Sequence, residues 1–181
     1  MLRPLEKTEL KIILEWRNAP AVRQSMYSQH EITWDEHLLW FQRMEADDSK
    51  RWYLYFNKDN KPNGVVYFTE WHHLHGTAFW GFYANPRATP GTGMKMSLAA
   101  LDQAFNKLNI QKLNADVLAT NTKSLDMHKN VGFVEEGCFR NQYSNGEKRI
   151  DVVRFVMLAS EWTKNRQMLQ TSILELDVRA S

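Results

Sequence analysis

Cysteine is nearly absent from this chain, and several other features that would narrow its class are missing too. One cysteine, Cys138, stands among 181 residues, so no internal disulfide can form, and a reducing compartment is the simplest fit. No apolar stretch approaches the length that crosses a bilayer. The opening "MLRPLEKTELK" lacks the apolar centre of a secretory signal, so the expectation is a cytoplasmic protein with no membrane partner. Basic blocks are missing as well. The formal charge is only +2, which gives nucleic acid little to hold. There is no repeat, low-complexity block or linker. The chain therefore reads as one domain over residues 1–166, followed by a C-terminal tail, 167–181, that is extended or helical. What is plentiful is aromatic. Seven Trp, nine Phe and six Tyr suit a pocket for a flat ligand, and they equally suit a packed core.

The pattern along the chain alternates between two periods. "KTELKIILEWRN" carries Leu10, Ile13, Leu14 and Trp16 at helical spacing. "ITWDEHLLWFQRM" opens with Thr33 and Glu36 in capping-box spacing, which predicts a second helix. "RWYLYFNK" and "NGVVYFTEWH" read as an antiparallel hairpin, and "TAFWGFY" as a third strand. Leu98, Leu101, Phe105 and Leu108 then fall on one helical face. "KLNADVLA" is a strand, and "NTKSLDMHKNVGF" a short helix with Asn121 as N-cap and Gly132 past its end. Asn145-Gly146 marks the turn of a closing hairpin. This order gives an α+β fold with a largely antiparallel sheet.

Between the third strand and the following helix lies "NPRATPGTGM", with two prolines and two glycines. Glycines ahead of a helix start let a ligand approach the main chain, and the open N–H groups there suit an anion. Ordinary turn chemistry accounts for the same residues. A dinucleotide-binding reading fails, because GxGxxG is absent and the preceding strands form a hairpin rather than a βαβ unit.

The order of elements, the loop after "FYANPRATPGTGM" and the stretch "LATNTKSLDMHKNVGFVEEG" together resemble the GNAT family of acetyl-CoA-dependent N-acetyltransferases. The likeness covers nearly the whole chain. "RATPGTG" departs from the family loop by one extra residue between Arg87 and Gly91. The resemblance implies a GNAT-like mixed, largely antiparallel sheet flanked by helices, with acetyl-CoA as co-substrate. It also implies pyrophosphate held by the main-chain N–H groups of Gly91, Thr92, Gly93 and Met94. Phe82, Tyr83 and Ala84 would run beside the pantetheine arm, with Asn121 at the next helix start. Where the family commonly places a tyrosine acid, this chain has His128, which can protonate a thiolate or serve as a structural residue. Asp116 is the carboxylate best placed to accept the amine proton through a water, or else a solvated strand residue.

The N-terminal third, "EWRNAPAVRQSMYSQHEITWDEHLLWF", resembles the nucleotide-sugar N-acetyltransferases of pseudaminic acid biosynthesis. These acetylate the 4-amino group of a UDP-linked 4-amino-4,6-dideoxy sugar. The matching positions are Arg17, Asn18, Met26, Tyr27, Ser28, His37 and Trp40, with Tyr83 ending the strand before the loop. Tyr67 is placed with this acceptor set, although it and His128 differ from the side chains expected in that subfamily. Arg17 and His37 suit a diphosphate; Tyr27, Trp40 and Tyr83 suit a uracil ring or the apolar face of a deoxy sugar. Met26, Trp40 and Tyr83 also read as core residues. Two rivals stay open. A peptide, ribosomal-protein or other small-amine acetyltransferase would need an acidic groove, and a non-catalytic acyl-CoA-binding module would leave His128 and Asp116 away from the thioester. "HHLH" at 72–75 lacks a neighbouring carboxylate or thiol, so no metal is expected. A homodimer is compatible with the sequence.

Overall fold

Side chains of "GVVYF" alternate between the two faces of a strand, so Val65 and Val66, both fully buried, belong to different cores. Tyr53 and Tyr55 likewise face one core, Leu54 and Phe56 the other. The sheet is thus covered on both sides, and the alternation in the sequence becomes two hydrophobic layers. The computed structural model describes residues 1–179; the last two positions of the expected tail lie outside the described residues.

The chain runs β1 (Leu2–Pro4), α1 (Leu10–Asn18), α2 (Pro20–Arg23), α3 (Trp34–Glu45), β2 (Arg51–Phe56), β3 (Pro62–His72) and β4 (Thr77–Ala84). It continues with α4 (Thr92–Asp102), a π-turn over Gln103–Lys107, β5 (Lys112–Leu118), α5 (Thr122–Val131), β6 (Val134–Ser144), β7 (Arg149–Leu158) and α6 (Ala159–Arg179). Among the described residues seven strands form one sheet, ordered β1-β2-β3-β4-β5-β7-β6. Every pairing is antiparallel except β4 with β5. This is the α+β architecture expected from the sequence, with β1, α2 and the full length of α6 added to it.

Local signals explain where the helices begin. Thr33 Oγ1 accepts a hydrogen bond from the Glu36 N–H, and the Glu36 carboxylate accepts one from the Thr33 N–H at 2.7 Å. Asn121 caps α5 by accepting from the Ser124 N–H at 3.2 Å, and Gly132 ends that helix at a φ of 101°. Helix α6 buries Trp162, Leu169 and Ile173 in the core shared by α4. It is tied there by Asp102, which accepts from the Trp162 indole at 3.1 Å and from two Arg166 nitrogens at 2.8 and 3.0 Å.

One irregularity positions everything that follows. Strands β4 and β5 pair only from Thr77 to Phe79 against Lys112 to Asn114, and then part. At the branch point the buried Asn114 amide donates to the Ala78 carbonyl at 3.0 Å. Beyond it, Trp80–Ala84 and Ala115–Leu118 face each other across a gap with no ladder between them.

Candidate active site

The gap is a cleft of about 380 Å³. Its walls are Trp80 to Ala84 on β4 and Ala115 to Leu118 on β5. Gly93 of α4 and Met127 and His128 of α5 stand at one side, with Met26 and Tyr27 of the loop after α2 at the other. Because Trp80, Ala115 and Val117 belong to one core and Tyr67 and Tyr83 pack with the other, the cleft runs through the sheet.

At its α4 side the chain offers an anion site. Gly91 is the N-cap at a φ of 84°, a left-handed conformation that disfavours side chains, and no side chain caps the first turn. Thr92, Gly93 and Met94 open the helix at the positive end of its dipole; the Thr92 N–H, one of the expected pyrophosphate donors, is instead bonded to the Thr89 carbonyl at 3.2 Å.

A second cavity, about 310 Å³, adjoins the cleft and shares Tyr83 with it; Arg17, His37, Trp40 and Trp52 line it. His37 is buried and stacked on Trp40 at 4.9 Å, and Trp52 stacks on Tyr67 at 4.2 Å. Tyr67 can lie there because its cross-strand partner is Gly81, where a Cβ would come within 2.3 Å of the phenol. Three buried polar atoms around this cavity have no protein partner: Arg17 Nη1, His37 Nε2 and Trp52 Nε1. Burial lowers the pKa of His37, so it brings hydrogen bonding rather than charge, while Arg17 keeps its charge despite a lowered pKa. Seven of the nine positions of the expected acceptor set, all but Asn18 and Ser28, therefore line two cavities joined at Tyr83.

Residues 1–134 match the family model for the acetyltransferase (GNAT) domain. The chain belongs to the GNAT acetyltransferase family. It is 30% identical to the acetyltransferase PseH of Campylobacter jejuni over 129 residues, 71% of this chain and 79% of that protein. It is 25% identical to the spermidine N(1)-acetyltransferase of Vibrio cholerae over 163 residues, 89% and 94% of the two chains. Among solved structures, the spermidine N-acetyltransferase of V. cholerae in complex with CoA and spermine superposes with a TM-score of 0.84, covering 90% of this chain and 97% of that one at 24% identity. This GNAT protein is thus an acetyl-CoA-dependent N-acetyltransferase. The uncapped α4 N-terminus and the unladdered edge of β4 are consistent with that co-substrate.

The two expected catalytic groups both reach the cleft of the enzyme, in states the sequence does not reveal. His128 is 4% exposed, packed against Trp80, Phe133 and Phe155. Its Nδ1 lies 2.8 Å from the Ser124 carbonyl, which can only accept, so Nδ1 carries the proton and Nε2 is an acceptor. Burial lowers its pKa to about 4. The ring is thus neutral at physiological pH and offers Nε2 as a hydrogen-bond acceptor. Asp116 faces the cleft but arrives paired. Arg154 binds its Oδ2 through Nη2 at 2.9 Å and its Oδ1 through Nε, and the guanidinium itself lies over the Phe79 and Phe139 rings.

Sequence reasoning passed over Gly81, Asn114 and Tyr143. The first two have signals, a glycine inside an aromatic strand and an asparagine inside an apolar one; Tyr143 has none.

Proposed function

We propose that this enzyme acetylates the 4-amino group of a UDP-linked 4-amino-4,6-dideoxy sugar. The observation that carries the reading is the distribution of free charge around the two cavities. The carboxylates that line them are committed: Asp116 to Arg154, and Glu36 to the Thr33 cap with His30 at 3.4 Å. Arg17 Nη1 is uncommitted. An anionic acceptor finds a cation there, surrounded by aromatic faces; a polycation finds no free carboxylate. The match to PseH and the resemblance of the N-terminal third support the same substrate class.

Acetyl-CoA supplies an acetyl thioester, and the chain's own residues supply position. The first-turn N–H groups of α4 other than that of Thr92 would hold pyrophosphate, and the free main-chain edge of Phe82 to Ala84 would align the pantetheine amides along the fork. Tyr27, Tyr67 and Tyr83 would pack against the sugar with its amine facing the gap. The ammonium loses one proton before attack, and Asp116, the carboxylate of the cleft, would receive it through a water at its remaining lone pairs. The nitrogen–carbon bond forms as the carbon–sulfur bond breaks, and the second proton of the attacking nitrogen passes to the departing sulfur, leaving an amide and a thiol. The neutral His128 would accept a hydrogen bond at Nε2 and so orient the departing sulfur as its thiol.

A polyamine acceptor is the second reading, favoured by the spermidine acetyltransferase relative. Acetyl-CoA turnover with a panel of UDP-4-aminosugars, spermidine and a basic peptide decides between them. Turnover on an aminosugar nucleotide with little on spermidine is the expected result. Turnover confined to spermidine or the peptide would overturn the reading.

A further inference from the structure

The wall of the cleft formed by Ser25, Met26 and Tyr27 belongs to a segment, residues 24–33, without helix or strand. Its main chain is fastened largely from outside. The Asn18 amide clamps Ile32, donating to its carbonyl at 2.8 Å and accepting from its N–H at 2.9 Å. Arg17 Nη2 donates to the Ser28 carbonyl at 2.8 Å. Both fasteners come from the end of α1, close by in sequence. The third does not: the Tyr143 hydroxyl, 116 positions away, donates to the Tyr27 carbonyl at 2.7 Å.

Tyr143 is well anchored for such a contact. Its ring packs on Leu118, Ile150 and Val152, and it meets the Tyr27 ring edge-on at 5.3 Å. A bulge in β6 between Phe139 and Tyr143 re-aims the strand just before it. That bulge is itself held, since Asn141, at a φ of 52°, donates its N–H to Asp151 at 2.7 Å. The hairpin at the far edge of the sheet therefore reaches across the mouth of the cleft and grips the loop on its other side.

We infer that Tyr143 is a positioning residue for acetyl transfer: it latches the Tyr27 segment to the β6–β7 hairpin and so sets the width of the cleft where the amine enters. The inference rests on reading that side of the cleft as the acceptor side. The latch touches neither the α4 N-terminus nor β4, so acetyl-CoA binding is indifferent to it.

Tyr143→Phe removes the hydroxyl and keeps the ring. Two measurements decide the matter. In the free enzyme, hydrogen–deuterium exchange at residues 27–30 should quicken in Tyr143→Phe. With whichever amine the wild type acetylates, the acceptor KM should rise about three- to tenfold, the range of one neutral hydrogen bond, with the acetyl-CoA KM unchanged. Tyr143→Ala, which also loses the ring, should raise the acceptor KM further. Unchanged exchange in Tyr143→Phe would refute the latch. Faster exchange with an unchanged acceptor KM, or an equal rise in both KM values, would refute positioning. Because exchange is read without any acceptor and KM with the amine found to react, failure of the aminosugar reading leaves this test intact.

Discussion

A buried imidazole with its Nδ1 proton tied to a carbonyl is sensitive to pH through folding rather than through chemistry. The folded His128 binds its second proton only near pH 4, whereas an unfolded ring binds it near 6.5. Between those values the unfolded state holds more protons, so stability rises with pH across the window and is fully present above it. The shift corresponds to about 3 kcal/mol at most. Thermal melts of the wild type should therefore fall from neutral pH towards 4.5, and His128→Phe should flatten that slope. An equally steep slope in the variant would remove His128 as its cause. The kcat profile should also lack a limb near pH 6.5. The position of His128 was legible from the pattern after Asn121. Its protonation state was not, because Trp80 and Phe155, which enclose the ring, come from distant strands. Asp116 presents the same case: a strand carboxylate is visible in the sequence, and its Arg154 partner is set only by the β5–β7 register.

Among the elements, the glycine loop is the one whose chemistry was most visible beforehand, and the structure separates its two glycines. Gly91 stands at a φ of 84°, so any side chain there strains the backbone. Gly93 has ordinary space, the nearest atom to an added Cβ being Phe82 Cε2 at 3.9 Å. Gly93→Val should thus keep the fold while placing methyl groups where the first N–H groups of α4 would meet pyrophosphate. The expected result is at least about tenfold weaker CoA binding by calorimetry with a nearly unchanged melting temperature. Wild-type affinity would show that the phosphates bind elsewhere. Helices with caps and strands with alternation were readable for the same reason: their signals are local. Strand β1 is three residues long and α2 four, too short to carry a period. Helix α6 has buried residues at Trp162, Leu169 and Ile173, but exposed Met168, Leu174, Leu176 and Val178 blur its apolar face.

For the molecule as a whole, α6 ties the last part of the chain to the rest. Ending the chain after Arg166 would strip Leu169 and Ile173 from the core, a loss of about 3–6 kcal/mol, and would take Leu176 from its place 3.8 Å from an added Gly91 Cβ. Circular dichroism melts should show a clear fall in Tm, whereas an unchanged Tm would show that residues 167–181 form a separable tail. The parting of β4 and β5 has a kinetic consequence as well. A slot that opens on both faces of the sheet gives the two reactants separate doors and one shared wall, and Cys138, the chain's one thiol, is not among the residues lining it. Neither reactant need leave before the other enters, so initial rates at several fixed acetyl-CoA concentrations should give intersecting rather than parallel double-reciprocal lines.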